Sequence, residues 1–201
     1  MIDFRSVLVF PFLFKLLMRL VGVDNARRIF VKEYVRPEYG DRVLDVGCGP
    51  CDILEHLPAI EYVGIDMSQR YIDRAKKQFG NRGIFICQEL SNVMIDKLGK
   101  FDTVVAFGVL HHLNDDEVLK LLEHVHSALK PGGKLVTYDG VNEEDNSPIA
   151  RFVLSKDRGQ YIRTTKDQYN LVSKIFRDIE VNIRRDLTRI YCPVAIMVCK
   201  S

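Results

Sequence analysis

Strand-like and helix-like segments alternate through the middle of the chain, and this alternation constrains the fold more than any other feature. Five short runs rich in Val, Ile and Phe occur between residues 42 and 139, and CDILEHL at residues 51–57 predicts the first of the intervening helices. The run at residues 101–110, FDTVVAFGVL, is almost continuously apolar, which is typical of a strand buried on both faces of a parallel sheet. Repeated strand–helix–strand units predict an open, doubly wound α/β sheet.

The second half of the chain adds capped helices and a different kind of strand pairing. Asn114 with Glu117, and Thr165 with Gln168, have the spacing of helix capping pairs, which predicts helices that begin at these points. Two strand-like runs between residues 179 and 199 are joined by a short connection. We therefore predict an antiparallel hairpin at the end of the chain.

Composition fits a globular protein and excludes several functional classes. The 201 residues are 47% hydrophobic with a formal net charge of +2, so extensive binding to nucleic acid is not expected. Residues 1–40 and 150–201 are basic, whereas residues 41–149 are acidic. The basic flanks either meet an anionic partner or form ordinary solvated surface. The five cysteines lack the pattern of a disulfide framework, so a reducing, cytoplasmic setting is expected.

The apolar N-terminal segment at residues 4–21 has three interpretations. Its uninterrupted apolar run, residues 7–14, is too short to span a bilayer, and Lys15 and Arg19 interrupt the rest of the segment. Asp3 and the absence of a small-residue cleavage motif fit a signal peptide poorly. A helix packed on its own domain, or acting as a lid, is favoured over a helix in weak contact with a membrane surface.

The hexapeptide GCGPCD at residues 47–52 also has three interpretations. Cys48 and Cys51 have the CxxC spacing of a thioredoxin redox centre, but the chain has no tryptophan, which thioredoxins usually place before the first cysteine. Two cysteines supply only half of a tetrahedral zinc site, and no metal site is predicted. Gly47 and Gly49 permit a tight turn and close approach of a ligand, which favours a nucleotide-binding loop.

An acidic residue at the end of the second predicted strand supports the nucleotide interpretation. Asp66 lies 19 residues after Gly47, where a carboxylate can bind both hydroxyls of a ribose. The full dinucleotide fingerprint GxGxxG lacks its last glycine, because Asp52 occupies that position. The incomplete fingerprint weakens an NAD-binding interpretation.

These motifs together resemble the class I S-adenosylmethionine-dependent methyltransferases. VLDVGCGPCDIL is similar to the first motif of that family and YVGIDMS to the second. FICQEL, FDTVVAFGVLHHL and LKPGGKLVTYD come next in the family's order, so the resemblance extends from about Arg42 to Asp139. It implies a Rossmann-like methyltransferase fold, with a doubly wound seven-stranded sheet whose last strand is antiparallel, and S-adenosylmethionine as the cofactor.

The resemblance also implies how the chain is divided. We expect a single methyltransferase domain over residues 1–201. Its expected parts are N-terminal helices or a lid at 1–40, the cofactor-binding core at 41–139, a substrate-side insertion at 140–164, and a terminal helix with the hairpin at 165–201.

Cofactor-binding roles are implied by the resemblance, position by position. Asp45 and the backbone of residues 47–49 are expected to hold the methionine part of the cofactor, with Asp45 binding its amino group. Asp66 is expected to bind the ribose and Met67 to pack on the adenine, although Met67 has an alternative as a core residue and Glu89 as a solvated acid. The implied cofactor-binding residues are Asp45, Gly47, Cys48, Gly49, Asp66, Met67, Glu89, Leu90, Phe107 and Gly108.

His111 and His112 come after the fourth predicted strand, where the reactive end of the cofactor is expected. A histidine there suits a general base that accepts the proton of a hydroxyl or amine nucleophile. The alternative is that the histidines brace the loop by hydrogen bonds. The chain has Gly108-Val109-Leu110-His111 where the family's adenine and glutamine-amide methylators carry Asn/Asp-Pro-Pro-aromatic. Methylation of a DNA base is therefore not expected.

Substrate contacts are expected from the basic flanks and the insertion. Residues 147–169 resemble a segment of bacterial methyltransferases often encoded among surface-polysaccharide genes, which implies a small polar or glycan-type acceptor, in some cases phosphorylated. Arg151, Arg158 and Arg163 are the candidate contacts for an anionic group. Two other functions stay open: a cofactor-binding regulator or scaffold that transfers no methyl group, and an NAD-dependent oxidoreductase.

Overall fold

A seven-stranded sheet forms the centre of the structure, a computed structural model that describes residues 22–155, 159–188 and 192–201. The strands are β1 (Arg42–Val46), β2 (Glu61–Asp66), β3 (Ile84–Cys87), β4 (Phe101–Phe107), β5 (Leu129–Gly140), β6 (Asp178–Arg184) and β7 (Val194–Lys200). Their order across the sheet is β3-β2-β1-β4-β5-β7-β6. Strands β1 to β5 are parallel, whereas β7 is antiparallel to both β5 and β6. The doubly wound sheet and the terminal hairpin are thus confirmed.

Helices connect the parallel strands and precede the terminal hairpin. They are α1 (Val23–Phe30), α2 (Gln69–Phe79), α3 (Asn92–Leu98), α4 (Asp115–Ala128), α5 (Pro148–Ser155) and α6 (Thr165–Val172). A π-helical turn, Val31–Val35, continues α1. The helix predicted at residues 51–57 is a single 3₁₀ turn, Asp52–Glu55, and α3 was not predicted.

Helices cover both faces of the sheet, which explains the apolar character of β4. Val104 packs in a cluster with residues of α3, α4 and α6, whereas Val105 packs in the opposite cluster with residues of α1 and α2. Both valines are fully buried. Because successive side chains of a strand point to opposite faces, a strand between two helical layers must be apolar at nearly every position.

The start of α6 differs from the prediction by one residue. Thr164, rather than Thr165, is the N-cap, and its hydroxyl oxygen accepts a hydrogen bond from the amide of Asp167 at 3.1 Å. Gln168, the predicted partner in the capping pair, is buried. The predicted pair therefore had the right spacing but the wrong register, because the neighbouring threonine caps the helix equally well.

The structure describes most of the predicted insertion but not the apolar N-terminal segment. The apolar residues 4–21 lie outside the described residues. Within the part of the chain that is described, no helix is long and apolar enough to cross a membrane. The predicted insertion at residues 140–164 contains α5, whose Ala150 and Leu154 are buried.

The N-terminus of α4 carries the complete capping box that the sequence predicts. The Asn114 side chain accepts a hydrogen bond from the Glu117 amide at 3.0 Å, and the Glu117 carboxylate accepts one from the Asn114 amide at 2.8 Å. Ser68 is the N-cap of α2, but its side chain makes no capping hydrogen bond. Asn114 and Ser68 are therefore two N-cap residues of which only Asn114 makes a capping hydrogen bond through its side chain.

We expect Asn114→Ala to lower the free energy of unfolding by about 1 kcal/mol, because an amide at the helix start loses its acceptor. Ser68→Ala is the control and should cost only a few tenths of that amount, since no capping hydrogen bond is lost. Urea unfolding followed by circular dichroism measures both. An equal loss for the two variants would contradict the assignment of the caps.

Candidate cofactor-binding and active site

The candidate site lies at the carboxyl ends of β1 and β4, where the strand order reverses. Strands β1, β2 and β3 succeed one another on one side of this point, and β4 and β5 lie on the other. Open α/β sheets bind ligands in the crevice at such a reversal. Gly47, just after β1, lies against Val109, just after β4: a Cβ on Gly47 would be 2.7 Å from a Val109 methyl carbon. With a φ of +64° as well, this position requires glycine.

Asp66 joins the loop after β1 to the loop after β2. One of its carboxylate oxygens accepts a hydrogen bond from the Gly49 amide at 2.9 Å, and the other accepts one from the Ser68 amide at 2.7 Å. The Cys48 amide donates to the Ile65 carbonyl at 3.0 Å. A carboxylate has about four acceptor sites, so each Asp66 oxygen retains capacity for a ribose hydroxyl. Asp66 thus fixes the loop while keeping the predicted ligand-binding capacity.

Asp45 is a buried carboxyl group with one of its two oxygens bonded. The residue is 2% exposed, and Oδ2 accepts a hydrogen bond from the Tyr62 hydroxyl at 2.6 Å. Oδ1 is buried and has no hydrogen-bond partner among the described residues. Burial raises the pKa of Asp45 to about 7, and the nearby Asp66 charge adds to this, although the Tyr62 hydrogen bond acts in the opposite direction. A cationic amino group beside Oδ1 would restore the charged form.

Aromatic side chains close the site above β4 and β5. The rings of Phe107 and Tyr138 stack with centroids 4.1 Å apart, and Phe30 of α1 meets both rings edge-on. Arg27, one turn earlier on α1, lies 5.8 Å from the Phe107 ring centroid and pairs with Asp52 at 3.3 Å. Helix α1 is therefore a cover over the predicted methionine end. Neither Arg27 nor Tyr62 was predicted as a site residue from the sequence.

The predicted adenine-binding residues lie at the ends of β2 and β3. Met67 comes directly after β2 and is 75% exposed, which does not fit its alternative as a core residue. Glu89 comes after β3 and is also exposed, whereas Leu90 is buried in the sheet's core. Met67 and Glu89 therefore offer accessible side chains on adjacent strand ends.

His111 lies between Gly108 and the insertion, and a buried aspartate orients its ring. Its Nδ1 is 2.8 Å from Asp139 Oδ1. Its Cε1 lies 3.6 Å from the position of a Cβ on Gly108, and its Cδ2 lies against Gly159 on the other side. Since Nε2 is the ring atom between Cε1 and Cδ2, it lies on the edge of the ring that faces these two glycines. His112 is exposed, with its ring centroid 4.2 Å from that of His111.

Asp139 lies in the last of the five motifs, but the sequence predicted no role for it. It is fully buried at the end of β5, and burial raises its pKa against the lowering effect of the His111 hydrogen bond. It also accepts a second, longer hydrogen bond of 3.3 Å from the His111 amide. The aspartate thus holds both the backbone and the ring of His111, which distinguishes His111 from His112.

The insertion contains a cavity of about 540 Å³, which lies near His111. Its described lining contains both polar and apolar residues and consists of Asn142, Glu143, Glu144, Arg151, Leu154, Gly159, Gln160 and Ile162. Gly159 therefore borders both the cavity and the His111 ring.

The three arginines predicted to bind an anion have different positions. Arg151 lines the cavity, but its guanidinium donates to the carbonyls of Asn146 and Glu144 at 3.1 and 2.8 Å. Arg163 pairs with Asp115 at 2.7 Å and donates to three backbone carbonyls. Arg158 lies outside the described residues. An anionic acceptor would have to compete for the two described guanidinium groups.

Several known proteins with similar sequences are methyltransferases. Residues 44–135 match a family model described as a methyltransferase domain. A ubiquinone/menaquinone biosynthesis C-methyltransferase of Desulfotalea psychrophila is 32% identical over 125 residues, which cover 59% of this chain and 49% of that protein. A ubiquinone biosynthesis O-methyltransferase of Xanthomonas axonopodis pv. citri is 30% identical over 121 residues, covering 58% and 49%.

A solved structure extends the similarity to nearly the whole chain. The magnesium protoporphyrin IX methyltransferase of Synechocystis PCC 6803, with bound SAH, has a TM-score of 0.67 over 90% of this chain and 84% of its own, at 22% identity. The chain has the class I methyltransferase fold. The methyltransferase match and the SAH-bound structure support S-adenosylmethionine as the cofactor.

The sequence similarity to methyltransferases is concentrated in residues 44–135, within the predicted cofactor-binding core. The family match begins in β1 and ends in β5. The chain spans about half of the length, or less, of the curated methyltransferases that it matches. The candidate acceptor cavity lies beyond the matched residues.

The environment of Asp45 predicts an unusual dependence of stability on pH. Its carboxyl pKa is about 7 in the folded state against 3.8 ordinarily, so the folded protein binds the extra proton and loses stability as pH rises through this window. Asp45→Asn keeps an acceptor for Tyr62 without a buried charge. We expect its stability relative to wild type to increase by about 2–3 kcal/mol between pH 5 and pH 8.

Urea unfolding at both pH values measures this difference. Asp102→Asn is the control, because the pKa of this carboxyl group is shifted in the opposite direction. Burial tends to raise the pKa of Asp102, but hydrogen bonds from Lys130 and the Arg42 amide outweigh this effect and lower the pKa. That carboxylate stabilises the fold when charged, so its variant should not gain stability as pH rises. If the difference in stability between Asp45→Asn and wild type does not change with pH, the assignment of a buried, neutral carboxyl group to Asp45 is wrong.

Proposed function

We propose that this protein transfers a methyl group from S-adenosylmethionine to the oxygen or nitrogen of a small polar acceptor. The observation that carries the proposal is the buried Oδ1 of Asp45, unpaired among the described residues, beside a glycine loop at the strand-order reversal. An unpaired buried carboxyl oxygen destabilises the protein unless a ligand supplies a partner. The amino group of S-adenosylmethionine is such a partner, and the matched family supports it.

The residues of the site fit this cofactor along its whole length. Asp45 would accept hydrogen bonds from the amino group, Asp66 would bind the ribose hydroxyls, and Met67 with Glu89 would flank the adenine. Gly47, Cys48 and Gly49 would pass beneath the cofactor, and Phe107 with Gly108 would line its methionine end. Arg27, whose charge acts on Asp45, lies at that same end. When bound, the cofactor supplies an electrophilic methyl group on a sulfonium sulfur.

His111 would accept the proton that the nucleophile loses. The carboxylate of Asp139 stabilises the tautomer with a proton on Nδ1, which leaves Nε2 as the basic nitrogen. Nε2 lies on the ring edge that faces Gly108, on the predicted cofactor side, and Gly159, on the cavity side. In this proposal, a nucleophile from the cavity would approach the cofactor's methionine end beside His111. Asp139 acts through His111 and is a positioning residue.

The cavity supports a neutral, hydroxyl-rich acceptor better than a strongly anionic one. Glu143, Glu144, Asn142 and Gln160 line it with oxygen acceptors and amide donors, which suit the hydroxyl groups of a saccharide. Arg151, its described cation, is already bonded to two backbone carbonyls. We therefore propose a glycan-type acceptor of small size, and the predicted anionic character is the less favoured variant of this proposal.

Transfer of a labelled methyl group to a panel of monosaccharides, amino sugars and small amines tests the proposal. Once an acceptor is found, His111→Asn should lower kcat about 10²–10⁴-fold, since a general base is lost, with little change in cofactor affinity. Asp139→Asn should lower kcat less and shift the pH profile, because the wrong tautomer of His111 becomes favoured.

His112→Asn is the matched control, because His112 is the exposed neighbour of His111, whereas Asp139 holds the ring of His111. It should retain nearly full kcat. Equal losses in the two histidine variants would contradict the assignment of the base. Cofactor binding without transfer to any acceptor of the panel would instead favour the regulator or scaffold.

A further inference from the structure

The thiols of Cys48 and Cys51 are brought together by a turn at residues 48–51, within the glycine loop after β1. The Cys51 amide donates a hydrogen bond to the Cys48 carbonyl at 2.9 Å, which closes a four-residue turn. The Cα atoms at the ends of such a turn are less than about 7 Å apart. A disulfide bridges Cα atoms separated by roughly 4.4–6.8 Å, so the backbone is compatible with one.

Both sulfur atoms also face the same point on β2. A Cβ on Gly64 would be 2.9 Å from the Cys51 sulfur and 3.0 Å from the Cys48 sulfur. The two sulfurs are therefore no more than about 6 Å apart. Because Gly64 has no side chain, β2 leaves space in which the sulfurs can approach each other.

We propose that Cys48 and Cys51 are a redox modification site, and that a disulfide between them weakens binding of the cofactor. The second half of this proposal rests on the proposed function, whereas the first does not. The reagent is a low-molecular-weight disulfide such as oxidised glutathione. The modification regulates the methyltransferase site and is distinct from the dithiol catalysis of a thioredoxin.

The chemistry is two successive thiol–disulfide exchanges. The Cys48 thiolate attacks one sulfur of the reagent, forms a mixed disulfide and expels one glutathione thiolate. The Cys51 thiolate then attacks the Cys48 sulfur, forms the internal disulfide and expels the second glutathione. The protein loses two electrons and two protons, and one molecule of oxidised glutathione becomes two of the reduced form.

The different accessibility of the two thiols sets the order of these steps. Cys48 is partly exposed, whereas Cys51 is 0% exposed and can react only with a partner already inside the protein. The hydrogen bond with Cys51, burial, and the Asp45 charge raise the pKa of the Cys48 thiol. The thiolate is therefore scarce at neutral pH and the exchange is slow, unlike that of a redox-catalytic cysteine.

A disulfide would move the backbone that contacts the cofactor. Bond formation draws the sulfurs to about 2.05 Å and the two Cβ atoms to about 3.8 Å. Gly49, between the cysteines, accepts contacts from both thiols at its carbonyl, at 3.5 and 3.9 Å, while its amide donates to Asp66. Loss of one such charge-assisted hydrogen bond corresponds to about a 10-fold to 100-fold change in affinity.

The test uses the full chain, first reduced and then treated with excess oxidised glutathione. Mass spectrometry after alkylation maps the disulfides, and calorimetry gives the Kd for S-adenosylhomocysteine before oxidation, after it, and after re-reduction. We expect a Cys48–Cys51 disulfide, a Kd at least about tenfold weaker, and full recovery on reduction. Saturating S-adenosylhomocysteine should slow formation of the disulfide, since it covers the loop.

Two variants serve as controls. The double variant Cys48→Ala, Cys51→Ala should show the same Kd with and without the oxidant. Cys192→Ser removes a thiol from the segment before β7 and should keep the full response. Failure of the disulfide to form, or a mapped disulfide with unchanged Kd, overturns the proposal. If the reduced protein does not bind S-adenosylhomocysteine, the proposed function and the coupling both fail, while the mass map still decides whether the pair is a redox site.

Discussion

The half-bonded carboxyl group of Asp45 is the constraint on which the rest of the site depends. It lies in β1 at the reversal of strand order, where the Tyr62 hydroxyl bonds one oxygen and the other has no partner among the described residues. Burial without a full set of partners destabilises the folded chain and keeps the carboxyl group protonated up to a pKa of about 7. A ligand with a positive group would offset this cost, so in the proposed function the same residue links stability, pH and cofactor binding.

The surrounding structure limits what such a ligand can be. Gly47 and Val109 bring the loops after β1 and β4 into contact, and Asp66 ties the first of these loops to β2. Helix α1 covers the predicted methionine end through Phe30, which contacts Phe107 and Tyr138. The cofactor that we propose, with its cationic amino group at Asp45 and its ribose hydroxyls at Asp66, would satisfy these limits. In the function that we propose, these features hold the cofactor, whereas the insertion after β5 would select the acceptor.

The strands of the sheet, and the strand ends at which a cofactor site was expected, could be predicted from the sequence. Both depend on residues that are close together along the chain. Apolar runs marked the strands, and Asp45, Gly47 and Asp66 could be placed at strand ends from spacing alone. The pairing of His111 with Asp139 and the position of Arg27 over Phe107 could not be predicted, since each joins residues far apart in sequence. The ion pair between Arg163 and Asp115 could not be predicted for the same reason. The short 3₁₀ turn at Asp52–Glu55 shows that tertiary packing overrode a helical pattern.

Calorimetric titration of the reduced protein with S-adenosylmethionine tests the central claim most directly. Asp73→Asn, which changes an exposed carboxylate on α2, is the matched control for Asp45→Asn. We predict one cofactor per chain, an unchanged Kd for the control, and a Kd weakened roughly 10-fold to 100-fold for Asp45→Asn. Equal affinity in all three proteins, or binding of NAD in place of S-adenosylmethionine, would contradict the claim.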